Sequence, residues 1–150
     1  MASYYGCLLQ RPREIGIEPP GSFQLMKWLF EALGATVIDF PESDLCCGSY
    51  QILGRPEAVQ QAVSEILASA SGGGAEAVAL SCPLCEFNLR KKQGVLVQQG
   101  KISKVLPIFY FTQLVAISLG LNSETCLFEL NDKVCVELLK SKNYPQPPYP

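Results

Sequence analysis

The chain has 150 residues, of which 48% are hydrophobic and 17% are charged, and its formal net charge is −2. This length and this hydrophobic content suit one globular domain with a real core, and they exclude an intrinsically disordered chain. The near-neutral charge and the lack of a long basic run argue against nucleic acid or an anionic membrane surface as a partner.

Hydrophobic patterning in the first half of the chain alternates between strand-like and helix-like segments. Short apolar runs predict strands at 4–9 and 35–40. Apolar residues at helical spacing predict helices at 23–33 and 55–70. The run of three glycines at 72–74 is suited to ending the second of these helices.

The same alternation continues in the second half of the chain. Apolar runs predict a third strand at 77–81 and a fourth at 105–109. A helix is predicted at 83–93. It begins at Pro83, since proline is favoured in the first turn of a helix. Two further helices are predicted at 112–119 and 132–140.

The end of the chain differs in composition from the rest. Residues 144–150 contain four prolines, which predicts an extended tail after a single domain at 1–143. We find no charged leader before an apolar stretch, and no apolar run reaches the roughly 18 residues that a membrane span needs. We therefore expect a cytoplasmic protein without a direct membrane span.

Alternating strands and helices with short connections predict an α/β fold, here a Rossmann-like three-layer domain with a mostly parallel four-stranded sheet. Five cysteines then fall at strand ends. Cys7 lies at the end of the first predicted strand, Cys46 and Cys47 lie just past the second, and Cys82 and Cys85 lie just past the third. Because sites in open α/β sheets form at the carboxyl ends of strands, we expect all five sulfurs at one edge of the sheet.

The chemistry of this predicted site must depend on sulfur, because the chain has seven cysteines and no histidine. In a cytosolic protein, several cysteines indicate metal binding or redox work rather than structural disulfides. The Cys-x-x-Cys at 82–85 can bring two thiolates within reach of one metal. Gly48 permits backbone angles that could turn the sulfurs of Cys46 and Cys47 toward one site.

The number of cysteines discriminates between cofactors. A structural zinc ion and an ordinary cubane iron–sulfur cluster each take four protein ligands, so five cysteines are one too many for either. A larger or distorted iron–sulfur cluster could use all five, with one sulfur bridging two irons. Two alternatives stay open: a zinc-binding structural or interaction module that uses four of the cysteines, and a thiol–disulfide oxidoreductase that acts through Cys82 and Cys85.

The two remaining cysteines do not fit the site. Cys135 falls at helical spacing with Leu138 and Leu139, which predicts packing in the core. Cys126 lies in a predicted loop with no partner at ligand spacing, and we assign it no role.

The sequences around the cysteines form a specific combination. They are Tyr4-Tyr5-Gly6-Cys7-Leu8-Leu9, Leu33-Gly34-Ala35, Cys46-Cys47-Gly48, Ala79-Leu80-Ser81-Cys82-Pro83-Leu84-Cys85, Asn88-Leu89 and Phe111-Thr112-Gln113-Leu114. Together they resemble the cysteine-rich CCG domain in the B subunit of heterodisulfide reductase, in particular its second, C-terminal half. The resemblance extends from about residue 4 to residue 121.

The resemblance implies a non-cubane [4Fe–4S] cluster ligated by Cys7, Cys46, Cys47, Cys82 and Cys85. It also implies a component of an oxidoreductase complex that passes electrons to a disulfide of the coenzyme M–coenzyme B type, with a ferredoxin-like iron–sulfur subunit as the electron donor. This chain has one CCG half where the family's B subunit has two. We therefore expect a second CCG half or a paired subunit as a partner, and we do not expect this chain to be a complete enzyme alone.

Overall fold

The computed structural model describes residues 1–19 and 21–144. Apart from Tyr144, the predicted tail at 144–150 lies outside the described residues. In the part of the chain that is described, the fold is α/β, with five α-helices and one parallel sheet. None of these helices combines the length and the apolar surface that crossing a membrane would require.

Three short parallel strands form the sheet. They are β1 (Ala2–Tyr4), β2 (Val78–Leu80) and β3 (Ile108–Tyr110), in that spatial order. Their last residues are level, since Tyr4 is paired with Leu80 and Leu80 with Tyr110. The predicted parallel α/β arrangement is confirmed. The segments that follow the strands therefore leave the sheet at the same edge.

The predicted strand at 35–40 is replaced by a single contact with the sheet edge. Ile38 forms one isolated parallel bridge with Ala2, and its N–H donates to the Met1 carbonyl at 2.9 Å. Beyond that bridge, Asp39 forms an ion pair with Lys27, and Pro41 begins a 3-10 turn, Pro41–Asp44. The chain leaves the sheet edge after this one bridge, so the described sheet has three strands where we predicted four.

The first strand ends earlier than its apolar sequence predicts. It stops at Tyr4 rather than at residue 9, because Gly6 has a left-handed φ of 61° that a strand cannot include. The chain then turns, and the Cys7 carbonyl accepts hydrogen bonds from the N–H groups of Gln10 and Arg11. Cys7 accordingly lies in a turn beyond the strand.

The five predicted helices are all present. They are α1 (Leu25–Ala32), α2 (Pro56–Gly72), α3 (Pro83–Gln98), α4 (Phe111–Ser118) and α5 (Lys133–Ser141). Helix α3 continues five residues beyond the predicted end at 93. The buried Gln93 side chain there donates to the Leu106 carbonyl and accepts from the Leu106 N–H, at 2.9 and 2.7 Å. This tertiary contact stabilises the second half of the helix.

The core lies on both faces of the sheet, as the alternation of strand side chains requires. Val78 and Leu80 pack in one cluster with residues of α2 and α3, whereas Ala79 packs with Met26 and Phe30 of α1. A third cluster joins Phe109 to residues of α4 and α5. Each fully buried large apolar side chain contributes about 1.5–3 kcal/mol relative to exposure. The Rossmann-like layering itself stays a prediction.

Candidate metal centre

The five cysteines of the predicted site lie beyond the carboxyl edge of the sheet, on three separate segments. Cys7 is in the turn that follows β1, and Cys46 and Cys47 follow the 3-10 turn at the sheet edge. Cys82 is the residue that precedes α3, and Cys85 lies in the first turn of that helix. The parallel topology thus delivers all five thiols to the same side of the domain.

The five thiols form one group of neighbours. The Sγ atoms of Cys47 and Cys85 are 3.3 Å apart, and both residues are buried. Cys46 is a near neighbour of Cys7, and Cys82 is a near neighbour of Cys85. Since Cys46 and Cys47 are adjacent in the chain, they connect Cys7 to the pair of Cys82 and Cys85. The structure brings the predicted residues together; their role as ligands stays a prediction.

The thiols pack against each other rather than around a preformed metal position. Among the described residues, no three or more cysteine or carboxylate side chains stand where they could hold a metal ion as they are. The 3.3 Å between the sulfurs of Cys47 and Cys85 is shorter than the about 3.8 Å edge of a tetrahedron with 2.3 Å zinc–sulfur bonds. Binding a metal therefore requires the side chains to rotate apart.

Two glycines shape the backbone around the thiols. Gly6 has a φ of 61°, and a Cβ there would lie 3.3 Å from the Sγ of Cys85. Gly48 has a φ of 76°, and a Cβ there would lie 3.2 Å from Cγ2 of Val59 on α2. Both positions combine a left-handed backbone with a close neighbour, so a side chain would disturb the approach of the cysteine segments.

Tyr4 connects the sheet to the double cysteine. Its buried hydroxyl donates to the carbonyl of Leu45 at 2.6 Å, which fixes the residue immediately before Cys46. The pKa of Tyr4 lies far above its ordinary value, first because of burial and then because of the neighbouring Cys85 and Cys47 thiols. Tyr4 therefore stays protonated and remains a donor at any physiological pH.

The paired thiols of Cys47 and Cys85 differ in acidity. The hydrogen bond with Cys85 lowers the pKa of Cys47 to about 6; burial opposes this shift, and Ser49 and Asn88 add to it. The pKa of Cys85 is raised by the same hydrogen bond, by burial and by repulsion from a Cys47 thiolate. Burial also raises the pKa of Cys7. Because the thiolate is the form of cysteine that binds a metal, the lowered pKa of Cys47 suits a ligand.

Two polar residues that the sequence analysis did not assign to the site hold it together. The Nδ2 atom of Asn88 donates to the Cys47 carbonyl at 3.1 Å and to Oγ of Ser49 at 3.0 Å. Oγ of Ser49 donates to the Leu84 carbonyl at 3.0 Å and lies 3.2 Å from Sγ of Cys47. The signal for Asn88 was its position three residues after Cys85, which places both on one face of α3.

Exposure is uneven across the site. Cys47, Cys82 and Cys85 are buried, whereas Cys7 and Cys46 are half-buried. The site is therefore accessible from the side of Cys7 and Cys46.

Exposed apolar side chains follow the cysteines on all three segments. We call this set the apolar rim: Leu8, Tyr50, Leu53, Leu84 and Phe87. Leu53 is 97% exposed and Tyr50 is 78% exposed, so the domain itself leaves these side chains almost entirely in water. Large apolar side chains with this exposure are candidates for a surface that another protein covers.

The two other cysteines lie in the core, away from this group. Cys135 is buried in the cluster with Phe109 and Leu139, and its Sγ lies 3.5 Å from the Ile108 carbonyl. Its predicted packing in the core is confirmed. Cys126 is buried in the same cluster, where burial raises the pKa of its thiol.

A family model described as a cysteine-rich domain, CCG, matches residues 1–90, which include all five cysteines of the site. The 8-methylmenaquinol:fumarate reductase membrane anchor subunit of Wolinella succinogenes is 29% identical over 122 residues, covering 81% of this chain and 43% of that protein.

Two relatives from the genus Methanosarcina are also similar, and each is the B subunit of a CoB–CoM heterodisulfide reductase. The one from the ferredoxin/F(420)H(2)-dependent enzyme of Methanosarcina acetivorans is 26% identical over 145 residues, covering 93% of this chain and 47% of that protein. The one from the ferredoxin:CoB–CoM heterodisulfide reductase of Methanosarcina mazei is 25% identical over the same length. The chain spans about half the length of the curated relatives it matches.

Proposed function

Because the chain belongs to the CCG cysteine-rich domain family, we propose that it is an iron–sulfur electron-transfer and catalytic domain of a heterodisulfide-reductase-like oxidoreductase complex. The relatives are subunits of oxidoreductases by name. The observation that supports the proposal most is the meeting of five thiols from three segments at one edge of the sheet.

The donor set favours an iron–sulfur cluster over zinc. All five candidate ligands are thiols, the chain has no histidine, and one zinc ion would leave a cysteine unused. Gly6 adds to the fit, because any side chain there would press on the sulfur of Cys85. In this proposal the cluster is a non-cubane [4Fe–4S] cluster, and its ligands are Cys7, Cys46, Cys47, Cys82 and Cys85.

The cluster would supply one-electron storage and iron sites that attract sulfur. The protein's own residues would control access to it. Burial of Cys47, Cys82 and Cys85 excludes water from one side, while the half-buried Cys7 and Cys46 leave the other side open to a substrate or a donor. The hydrogen bond from Tyr4 to Leu45 holds the open side in place.

The partners in this proposal follow from the apolar rim and from the length of the relatives. A second CCG half or a paired subunit would cover the rim and complete the catalytic site, and a ferredoxin-like iron–sulfur subunit would deliver electrons. The substrate would be a disulfide of the CoM-S-S-CoB type or a related acceptor, as the name of the Methanosarcina acetivorans relative suggests. A cytoplasmic location stays a prediction.

A thiol–disulfide oxidoreductase is the second candidate, because the sulfurs of Cys47 and Cys85 are already in contact. Its reactive pair would be Cys47 and Cys85, whereas the alternative predicted from the sequence used Cys82 and Cys85. A metal-free protein that reduces a model disulfide, and loses this activity on Cys47→Ser or Cys85→Ser, would favour it.

Anaerobic iron and sulfide reconstitution of the full chain tests the first proposal. We expect a brown protein with about four iron atoms per chain. Replacing any of the five site cysteines by serine should lower the iron content or alter the visible spectrum, whereas Cys126→Ser and Cys135→Ser are matched controls that should change neither. A colourless protein with one tightly bound zinc would contradict the proposal, and a Cys7→Ser variant that behaves like Cys126→Ser would remove Cys7 from the ligand set.

A further inference from the structure

We propose that Ser49 and Asn88 are positioning residues of the metal centre, which hold the backbone of the Cys47 segment against the beginning of α3 and provide a hydrogen bond to the Cys47 sulfur. We call the two residues the Ser49–Asn88 bridge. The inference rests on the proposed function for the identity of the bound group. The positioning itself depends only on contacts within the protein.

Asn88 joins two parts of the chain that are far apart in sequence. Its side chain is fully buried on α3, and its Nδ2 group donates to the Cys47 carbonyl and to Ser49, residues 41 and 39 positions away. The opposite orientation of the amide would set its Oδ1 atom against the Cys47 carbonyl oxygen. These contacts therefore determine which end of the amide is Nδ2 and which is Oδ1. Among the described residues its Oδ1 atom has no hydrogen-bond partner, which is a cost that a purely structural position would avoid with an apolar side chain.

Ser49 has one hydroxyl proton and two neighbouring acceptors. Because Asn88 donates to Oγ, the proton of Ser49 is free to point to the Leu84 carbonyl at 3.0 Å or to Sγ of Cys47 at 3.2 Å. A thiol attracts that proton weakly, but a metal-bound thiolate is a stronger acceptor. When Cys47 is a ligand its side chain has rotated away from Cys85, and the Ser49 hydroxyl can turn from the Leu84 carbonyl toward the Cys47 sulfur without any movement of the backbone.

The bridge also connects the two cysteine motifs to each other. Ser49 belongs to the segment of the double cysteine, and Leu84 lies between Cys82 and Cys85. The bonds of Ser49 and Asn88 thus hold the double cysteine against the beginning of α3, where the sulfurs of Cys47 and Cys85 meet. Hydrogen bonds to the sulfurs of an iron–sulfur cluster stabilise its reduced form, which has more negative charge, and so raise the reduction potential.

The reduction potential of the reconstituted full chain is the first test. We expect Ser49→Ala to lower the reduction potential. Ser49→Thr keeps the hydroxyl and should have the wild-type potential. Asn88→Leu should lower the potential in the same direction. Gln93→Met is the matched control, since Gln93 is another buried amide on α3 that bonds the backbone of Leu106; it should lower stability but leave the potential unchanged.

Disulfide formation in the metal-free full chain is the second test. Diamide takes up the two protons and two electrons that a pair of thiols loses as the sulfur–sulfur bond forms. Mass spectrometry then gives the rate at which the Cys47–Cys85 disulfide appears. We expect this rate to fall about fivefold in Ser49→Ala and Asn88→Leu, the size of one lost neutral hydrogen bond, and to stay unchanged in Gln93→Met.

The two tests separate this inference from the proposed function. If the wild-type chain takes up no iron, the proposed function is wrong, and the rate of disulfide formation alone decides on the bridge. Ser49→Ala and Asn88→Leu proteins with the wild-type rate, or with the wild-type potential where iron is bound, would overturn the inference. Ser49→Ala removes one atom from a half-buried residue, so this variant remains informative even if Asn88→Leu does not fold.

Discussion

The buried carboxylate of Glu18 organises the segment before α1. It accepts hydrogen bonds from the Tyr5 hydroxyl and the Gln24 N–H, each at 2.9 Å, and from the N–H of Leu25. The Tyr5 hydroxyl in turn accepts from the N–H of Met26 at 2.7 Å. Since the first N–H groups of a helix have no partner within the helix, Glu18 supplies from a distance what a capping residue would supply locally.

Stability should depend on the ionisation of Glu18. Burial raises the pKa of this carboxyl, but hydrogen bonds from Gln24, Leu25 and Tyr5 outweigh burial and bring the pKa below the ordinary 4.5. A depressed pKa in the folded state stabilises the fold above the unfolded-state pKa, and this stabilisation is lost as the pH falls through the folded-state value.

Glu18→Gln should therefore lower the free energy of unfolding at pH 7 by roughly 1.5–3 kcal/mol, the range for hydrogen bonds to a charged group. The variant should also lose less stability than the wild type on acidification below about pH 4.5, because it has no carboxylate to protonate. Urea unfolding at a series of pH values measures both effects. Glu14→Gln, at an exposed position, is the control. An unchanged pH dependence in Glu18→Gln would contradict the assignment.

Helices and turns use glycine for opposite reasons in this molecule. Gly94 lies in the exposed middle of α3, and a Cβ there would meet no atom of the described residues within 4 Å. Gly48 has a left-handed φ of 76° in the turn that follows the double cysteine, and a Cβ there would press on Val59. The first glycine is a weakness of its helix, whereas the second is required by its turn.

The two glycine-to-alanine variants should change the free energy of unfolding in opposite directions. Gly94→Ala should raise the free energy of unfolding by about 0.5–1 kcal/mol, because alanine is the better helix former. Gly48→Ala should lower it by at least about 1 kcal/mol, because a side chain is strained in the left-handed region. Only Gly48→Ala should also lower the iron content after reconstitution. Denaturant unfolding and iron analysis measure these outcomes, and equal effects on stability would refute the distinction.

Helices were more predictable from the sequence than strands. The spacing of apolar residues in α2 and α5 predicts those helices to within two residues at each end, since one side of each faces the core. The strands are three residues long, too short for a period-2 pattern to set their ends. Pairing with neighbours decided those ends, and residues 35–40 gained one bridge instead of a ladder.

At the scale of the whole molecule, the parallel topology alone was enough to predict that the five site cysteines lie near each other. Cysteines after successive parallel strands meet at one edge wherever the strands end within a few residues. This holds although Cys7 lies in a turn and the second predicted strand is reduced to a bridge. The Ser49–Asn88 bridge was not predictable in the same way, because its hydrogen bonds depend on how α3 is rotated and advanced against the double-cysteine segment, which the sequence pattern does not specify.

In the proposed complex, the exposure of the apolar rim is explained by binding to a partner rather than by the fold of the domain. Apolar side chains scattered singly on a surface are ordinary, and Trp28 on α1, which is 59% exposed, is such a residue. The rim differs because its members follow the cysteines on three segments. If the rim is covered in a complex with a paired CCG subunit, its members stabilise that complex and contribute little to the fold of the isolated chain.

Leu53→Ser and Tyr50→Ser should therefore leave the unfolding temperature and the iron content of the chain unchanged. Both should sharply reduce recovery of a CCG-domain or ferredoxin-like subunit when the tagged chain is purified from its native cells and its partners are identified by mass spectrometry. The reason is that a large apolar side chain contributes binding energy when a partner buries it. Trp28→Ser removes an exposed apolar side chain on α1, outside the apolar rim, and should leave recovery intact. Equal recovery with all three variants would show that the rim does not bind the partner.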